Sequence, residues 1–314
     1  MENRNDLRVS FTGQGGELFV LWIKNLFLTI ITLGVYSFWA KVNLKRYFFE
    51  HTSVAGGRFG WHATGKERFI AFLKGMGVMV AVYVVVWVLG KISSYLLILL
   101  PIAFIAVLPA LAVASLRYKF SRTSYNQIRF RFMGRPGKFA IVYLKGILLT
   151  GITFGIYLPW FTAEMQQYMN RNTAVGNSTF EFDGKGGELF IIYLKGFFLS
   201  VITFGIYLSW FIAELQNYMV NHTKFQGKNL IGDVKGGDLF VTNLVGYLLT
   251  VITLGIYFPW WMVKSIKVSY GGIALAQAPD MSQMQAQFDV GANPLADGLA
   301  DAANFLDTIA DFLT

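Results

Sequence analysis

The nonapeptide ITFGIYLPW at Ile152–Trp160 decides the fold, because close copies of it recur along the chain. The others are ITLGVYSFW at Ile31–Trp39, ITFGIYLSW at Ile202–Trp210 and ITLGIYFPW at Ile252–Trp260. Each copy follows a glycine-rich opening, which reads GQGGELF, GRPGKFA, GKGGELF or VKGGDLF. The first three copies in chain order precede a tyrosine with a threonine five residues later, at Tyr47/Thr52, Tyr168/Thr173 and Tyr218/Thr223. Such self-similarity predicts a chain built by internal duplication.

A fifth, more divergent copy lies between the first and the second of these. It opens at Thr64–Gly75 and ends at Leu108–Thr123, where Tyr118 and Thr123 keep the same spacing. This copy is longer than the others by 21 residues, which is about the length of one membrane-spanning helix. The predicted repeats cover residues 9–58, 59–129, 130–179, 180–229 and 230–270, followed by a flexible linker at 271–293 and an acidic amphipathic helix at 294–314.

The composition is typical of an integral membrane protein. Hydrophobic residues make up 54% of the 314 residues, charged residues only 14%, and the mean hydropathy is +0.48. The chain has no cysteine, so a disulfide framework and thiolate metal sites are excluded. All 27 lysines and arginines lie at or before Lys267. Because basic loops of membrane proteins stay in the cytoplasm, the charge favours a membrane protein over a nucleic-acid-binding one.

The apolar segments allow two topologies. Six segments of suitable length, at 18–40, 69–89, 95–114, 139–162, 189–212 and 239–263, fit six simple membrane spans. The alternative is that each short copy is a helical hairpin, with breaks at Gly34, Gly155, Gly205 and Gly255 and new helices opened by Pro159 and Pro259. The linkers support the second topology, because each contains an alternating strand-like segment such as Phe180-Glu181-Phe182.

We therefore predict an all-α polytopic membrane protein of tandem helical hairpins. The short β segments of the linkers would form a small sheet in the cytoplasm. The short hairpins are barely long enough to cross a bilayer, so they could also be re-entrant.

Repeated polar and aromatic residues are the candidate functional sites. Four lysines occupy matching positions in the apolar segments: Lys24, Lys74, Lys145 and Lys195. They either snorkel to the headgroups, contact anionic groups such as lipid phosphates, or line a transport pathway. Glu164 and Glu214 also match each other and suggest a solvated helix turn or a proton relay.

Matching Tyr–Trp pairs predict anchors at the membrane interface. These anchors are Tyr36, Trp39, Tyr157, Trp160, Tyr207, Trp210, Tyr257 and Trp260. We expect no catalytic residues, metal or cofactor, because His51, His62 and His222 lack the spacing of metal ligands. The chain is therefore not expected to be an enzyme. The acidic helix at 294–314 is predicted to dock either on the basic linkers of its own chain or on another protein.

These motifs resemble a known family. The stretches FTGQGGELF at 11–19, ITLGVYSFWAKVNLKRYFFEHT at 31–52 and RFGW at 58–61 are similar to the YjgN-like bacterial inner-membrane proteins, a domain family of unknown function. The resemblance covers about Val9 to Tyr270. It implies a multi-pass protein of a Gram-negative inner membrane built from two-span repeats, and it suggests a membrane metallopeptidase as a partner.

Two functions follow as hypotheses. The first is binding or transport of a lipid or an anionic solute within the helical bundle, since repeats are common in transporters. The alternative is a non-transporting scaffold or accessory subunit that docks a partner through its linkers and its acidic tail.

Overall fold

The computed structural model describes residues 7–92 and 99–284. Within them, ten helices form five antiparallel hairpins. The hairpins are α1 (Gly15–Ile31) with α2 (Ser37–Glu50), α3 (Gly65–Ile92) with α4 (Leu99–Ser121), α5 (Pro136–Ile152) with α6 (Leu158–Arg171), α7 (Gly186–Ile202) with α8 (Leu208–Asn221), and α9 (Gly236–Ile252) with α10 (Phe258–Gly271). The second hairpin, α3/α4, is the long one, and the other four are short.

The linkers between hairpins form one antiparallel sheet. In the described ranges its ten strands are β1 (Ser10–Phe11), β2 (Thr52–Val54), β3 (Gly57–Trp61), β4 (Thr123–Tyr125), β5 (Ile128–Phe132), β6 (Thr173–Val175), β7 (Ser178–Phe182), β8 (Thr223–Phe225), β9 (Lys228–Gly232) and β10 (Ile273–Leu275). Every strand pairs with its neighbours in sequence. A bridge between Arg8 and Ala274 joins the two ends, so the sheet curls into a closed ring and leaves no open edge.

The inside of this ring is an apolar core. Val54, Tyr125, Val175 and Phe225 are buried there, one each from β2, β4, β6 and β8. Three matching phenylalanines, Phe59, Phe130 and Phe180, stack in succession along the inner wall with centroid distances of 6.3 and 6.5 Å. Met284, which follows the 3-10 turn Met281–Gln283, is buried in the same core.

The face of the strands that lines the core also packs on the helices, because Phe182 lies two residues after Phe180 and therefore on the same side of β7. Phe182 of β7 packs in one cluster with Leu189 of α7 and Tyr218 of α8. The tyrosine–threonine spacing of the repeats has its explanation at this junction. The Tyr218 hydroxyl accepts a hydrogen bond from the Lys185 amide at 2.7 Å, and the Thr223 hydroxyl donates to the Met219 carbonyl at 2.8 Å. The pair thereby fixes where one hairpin ends and the next begins.

Neighbouring hairpins interlock through a tryptophan and a glycine. The indole of Trp160 lies where the Cβ atom of any residue other than glycine at position 186 would be. The same contact joins Trp39 to Gly65 and Trp210 to Gly236, and Trp260 to Gly15 at the closure of the helical ring. The tryptophans predicted as interface anchors are therefore also packing residues between hairpins.

A common turn joins the two helices of each short hairpin. In the fourth hairpin the Gly205 amide donates to the Ser200 carbonyl at 2.7 Å, and the Tyr207 amide donates to the Thr203 hydroxyl at 3.0 Å. The sequence suggests that glycine is the first left-handed residue after the helix. In the structure that residue is Phe204, and Gly205 follows it with φ of 86°. Pro159 and Pro259 are the second residues of α6 and α10, whereas Pro109 lies inside α4.

Three predictions from the sequence need correction. The protein is mostly helical but not all-α, because the linkers build a ten-stranded sheet across the described residues. Six simple spans are wrong, because a turn breaks four of the six apolar segments. The linker assigned to 271–293 starts too early, because Ile273–Leu275 pairs with β9 and Met284 is buried. The predicted helix at 294–314 lies outside the described residues.

Candidate functional site

The tips of the four short hairpins expose large apolar side chains almost completely. Phe154 and Phe204 are 98% exposed, and Leu33 and Leu254 are 94% exposed. All four have φ between 49° and 51°, a left-handed conformation that costs a residue other than glycine about 1–2 kcal/mol. In water such a position favours glycine or asparagine. Phenylalanine and leucine therefore indicate that these tips face an apolar medium.

Apolar side chains are also exposed along the first helix of every hairpin. In α7 they include Ile191, Phe198 and Ile202, and in α3 they include Val80, Tyr83 and Trp87. Continuous apolar surfaces of this kind are rare on soluble monomers. Among the described residues, one helical stretch, Gly65–Lys91 in α3, is long and apolar enough to cross a membrane. The helices of the short hairpins have 17 and 14 residues.

Two of the four candidate lysines are paired with glutamates of the same hairpin. The Lys145 ammonium donates to the Glu164 carboxylate at 2.7 Å, and Tyr157 donates to the same carboxylate at 3.0 Å. Lys195 and Glu214 form the same pair at 2.5 Å. The structure thus brings together three groups that the sequence treated separately: a lysine, a glutamate and the tyrosine near the tip. Each lysine charge is balanced within its own hairpin.

The other three hairpins differ at these positions. Asn43 takes the place of the glutamate in the first hairpin, where it donates to the Asn25 side chain and to the Tyr36 hydroxyl, both at 3.3 Å. In the long hairpin Lys74 has Ala114 at the corresponding position, and in the fifth hairpin Val245 replaces the lysine and Lys264 replaces the glutamate. The five hairpins therefore do not form one symmetric ring of lysines.

The tyrosines at the helix exits carry a role that the sequence analysis missed. The Tyr47 hydroxyl bonds to the Gln14 amide at 2.7 Å and to the Glu17 carboxylate at 3.1 Å, and Tyr218 repeats this arrangement with Lys185 and Glu188. In the long hairpin the Tyr118 hydroxyl donates to Glu67 at 3.2 Å. The signal was present, because an acidic residue occurs in the opening of each of these copies.

Strands of successive linkers pair at seams of the sheet, and two of these seams differ in charge. At the β7–β8 seam, Asp183 accepts hydrogen bonds from Lys224 and His222, both at 2.8 Å. The bond from Lys224, followed by that from His222, holds the pKa of Asp183 below its usual value. Asp183 in turn raises the pKa of Lys224. The positive and negative charges of this seam therefore balance.

The β3–β4 seam has the same backbone but mainly cations. His62 occupies the position of Asp183, and its Nε2 atom lies 2.8 Å from the Ser124 hydroxyl. Burial lowers the pKa of His62, and Arg129 and Arg46 lower it further because their positive charges oppose a second cation. Arg122 pairs with Glu67 at 3.2 Å.

Among residues 7–92 and 99–284, no cluster of three or more histidine, aspartate or glutamate side chains could hold a metal ion.

Exposed apolar tips, apolar helix faces and a polar ring of linkers define the class of a membrane protein built from helical hairpins. The sequence profile of a bacterial protein family of unknown function, DUF898, matches residues 6–209 and residues 199–302. The chain therefore belongs to this family, and the predicted YjgN-like resemblance is confirmed.

Three curated relatives are each named inner membrane protein YjgN. The one from Salmonella typhimurium strain LT2 is 35% identical over 136 residues, which are 42% of this chain and 32% of the relative. Those from Escherichia coli O157:H7 and K12 are both 34% identical, over 125 and 122 residues, covering 39% of this chain and 30% of each relative. The chain thus spans about a third of the length of these relatives. No solved structure matches it.

Proposed function

We propose that the protein is a multi-pass inner-membrane protein whose helical hairpins bind membrane lipids along their apolar faces. The observation that carries this proposal is the near-complete exposure of Phe154 and Phe204 at left-handed tip positions. Such a tip is stable only where its surroundings are hydrocarbon. The names of the curated relatives agree with an inner-membrane location.

The proposed topology follows from helix lengths. A helix of 17 residues, such as α7, spans about 25 Å at 1.5 Å per residue. This is less than the roughly 30 Å hydrocarbon core, so the four short hairpins are proposed to be re-entrant. The 28 residues of α3 span about 42 Å, which suffices for a full crossing. The long hairpin would then cross twice, and the sheet with all linkers would lie in the cytoplasm.

Lipid binding is favoured over transport of an anion because of the lysine pairs. Lys145 and Lys195 already have carboxylate partners at 2.7 and 2.5 Å. A lysine neutralised in this way offers little net attraction to an incoming anion. The apolar faces of α5 and α7, in contrast, remain exposed to acyl chains.

Depth-dependent quenching tests this function. The chain has no native cysteine, so single cysteines at positions 154, 204 and 177 can each carry one fluorophore in reconstituted bilayers. We expect lipids labelled deep in the acyl chain to quench positions 154 and 204 most strongly, and aqueous iodide to quench neither. Asn177 is exposed in the turn between β6 and β7, and its variant serves as the control that deep lipid labels do not reach. Quenching of positions 154 and 204 by iodide would contradict the proposal.

A further inference from the structure

The outer face of the sheet between β3 and β5 carries a cluster of cations, which we call the basic face. Arg129 and Arg131 lie two residues apart on β5, opposite Ser124 and Ala174 of the neighbouring strands. They lie on the side of the strand away from Phe130, which packs against the core inside the ring. Arg46 of α2 donates to the Ala63 carbonyl at 3.3 Å, just after β3, and Arg122 directly precedes β4, so these cations continue the basic face from β5 towards α2.

Within residues 7–92 and 99–284, two glutamates oppose this charge. The sequence contains no aspartate or glutamate between Glu67 and Glu164. Glu67 pairs with Arg122, and Glu50 acts on His62. The equivalent surface on β7 has Thr179 and Glu181 in place of Arg129 and Arg131, and Glu181 lies opposite Lys224. The basic face is therefore a local property of one sector and not a feature of the repeat.

The basic face lies directly beside an apolar surface. Only three residues separate the end of β5 at Phe132 from the start of α5 at Pro136. Arg135 and Lys138 continue the positive charge across this junction, and both are exposed. Ile141, one turn into α5, is 69% exposed. A cluster of cations next to an exposed apolar helix therefore complements an anionic phospholipid, whose charged headgroup adjoins its acyl chains.

We propose that the basic face binds the phosphate group of anionic phospholipids of the phosphatidylglycerol type, with the acyl chains lying along α5. Guanidinium groups suit this ligand because each can donate two parallel hydrogen bonds to phosphate oxygens. This inference rests on the lipid-binding function proposed above and adds selectivity for a headgroup. It assigns the anionic contact to arginines at the sheet, and not to the lysines within the hairpins.

Native mass spectrometry of the delipidated full chain tests the proposal. The protein is mixed with equal amounts of phosphatidylglycerol and phosphatidylcholine in neutral detergent, and the ratio of the two bound lipids is measured. We expect the wild-type chain to prefer phosphatidylglycerol, and Arg129→Gln/Arg131→Gln to reduce that preference by about thirtyfold, since each of the two basic residues contributes about 1 kcal/mol near a membrane surface. The matched control, Lys228→Gln/Lys235→Gln, removes the same charge elsewhere and should keep the preference.

A charge-conserving variant separates binding from folding. Arg129→Lys/Arg131→Lys should retain most of the preference, and all variants should elute and melt like the wild type. Equal binding of both lipids by the wild-type chain would overturn the headgroup assignment alone, whereas binding of neither lipid would overturn the proposed function as well.

Two further outcomes would assign the basic face to another occupant. Displacement of phosphatidylglycerol by millimolar inorganic phosphate would identify the ligand as a free anion. If the preference appeared only after residues 294–314 were deleted, the acidic tail would be the occupant. Either result would overturn the proposal.

Discussion

The long hairpin α3/α4 and the short hairpin α7/α8 occupy equivalent places between strands of one ring, yet they end differently. α3 exposes apolar residues along its length and ends next to Lys91. α7 ends after 17 residues, and its turn exposes Phe204. Because both chain ends of every hairpin return to the ring, the depth of a hairpin can change without moving any linker. The length of a hairpin is therefore independent of the position of its linkers in this architecture.

The position of the proline in the second helix differs between the long hairpin and the short ones. Pro159 and Pro259 are second residues of their helices, where a missing amide hydrogen is tolerated. The corresponding Pro109 lies ten residues after the start of α4 at Leu99. In the long hairpin the helix has grown on the tip side of this proline, away from the sheet.

The largest expected effect is on membrane insertion, and it should differ between the tip of a short hairpin and the end of α3. Phe204→Lys places a charge in hydrocarbon, so it should cost about 2.5–3.5 kcal/mol of insertion free energy. Lys91→Asp at the end of α3 should cost little, because that end is predicted to lie in water. The membrane-bound fraction of each variant measures the difference. Phe204→Gly, which relieves the left-handed strain without adding charge, should remain inserted. Equal losses for Phe204→Lys and Lys91→Asp would remove the distinction between the tips.

A smaller effect concerns the lysine–glutamate pair of the short hairpins. Lys195→Met leaves Glu214 without its partner and should destabilise the protein by about 2 kcal/mol, less than for a fully buried pair. Lys195→Met/Glu214→Gln should recover most of this loss, because the fifth hairpin already tolerates Val245 at the lysine position. Thermal unfolding in detergent measures both. A double variant no more stable than the single one would contradict the pairing.

The hydrogen bonds of the exit tyrosines should contribute differently to the stability of the long and the short hairpins. Tyr218→Phe removes hydrogen bonds to Lys185 and Glu188 and should cost about 1–1.5 kcal/mol. Tyr118→Phe in the long hairpin removes the bond to Glu67 and should cost less. Tyr247→Phe, on an exposed face of α9, is the control. Chemical denaturation in mild detergent gives the order, and a larger loss for Tyr118→Phe would refute it.

The smallest expected effect is a loss of stability at the β7–β8 seam as pH falls. The pKa of Asp183 is lowered in the folded state by Lys224 and His222, so its stabilisation is present above the unfolded pKa of about 3.9 and is lost as pH falls below it. Because Asp183 is nearly half exposed, the loss should be a few tenths of a kcal/mol. Comparing Asp183→Asn with the wild type between pH 6 and pH 3 checks this. An unchanged pH dependence in Asp183→Asn would show that the seam contributes nothing.

Local patterns made part of this fold predictable. The break in each short copy followed from a glycine near a helix end and a proline four residues later, as at Gly155 and Pro159. The strands of the Phe180-Glu181-Phe182 type followed from alternation. The strands after each exit tyrosine did not, because Thr173–Val175 has three residues and no alternating aromatic pattern. Closure of the ring depends on long-range hydrogen bonds between residues 7–9 and 271–275, around the bridge from Arg8 to Ala274, which no local pattern reports.

The candidate site was less predictable than the fold. Lys195 and Glu214 are 19 residues apart across a turn, so their pairing becomes visible only once the hairpin is drawn. The available signal was the joint presence of lysine and glutamate in the third and fourth hairpins, and the replacement of both in the fifth hairpin. The basic linkers around Lys41–Arg68 and Arg117–Lys138 were recognisable in the sequence, but their meeting on one face was not, because Arg46, Arg122 and Arg129 come from three separate segments.

Cysteine mapping from both sides of the membrane tests whether all linkers of the ring lie in one compartment. Single cysteines at the exposed linker positions Arg58, Gln127, Asn177 and Asn229 should react with an impermeant reagent only after the inner membrane is permeabilised. A cysteine at Lys91 should react from outside without permeabilisation, and cysteines at Phe154 and Phe204 should stay unreactive on both sides. Labelling of Asn177 from outside while Arg58 stays protected would place linkers on opposite faces and contradict the account.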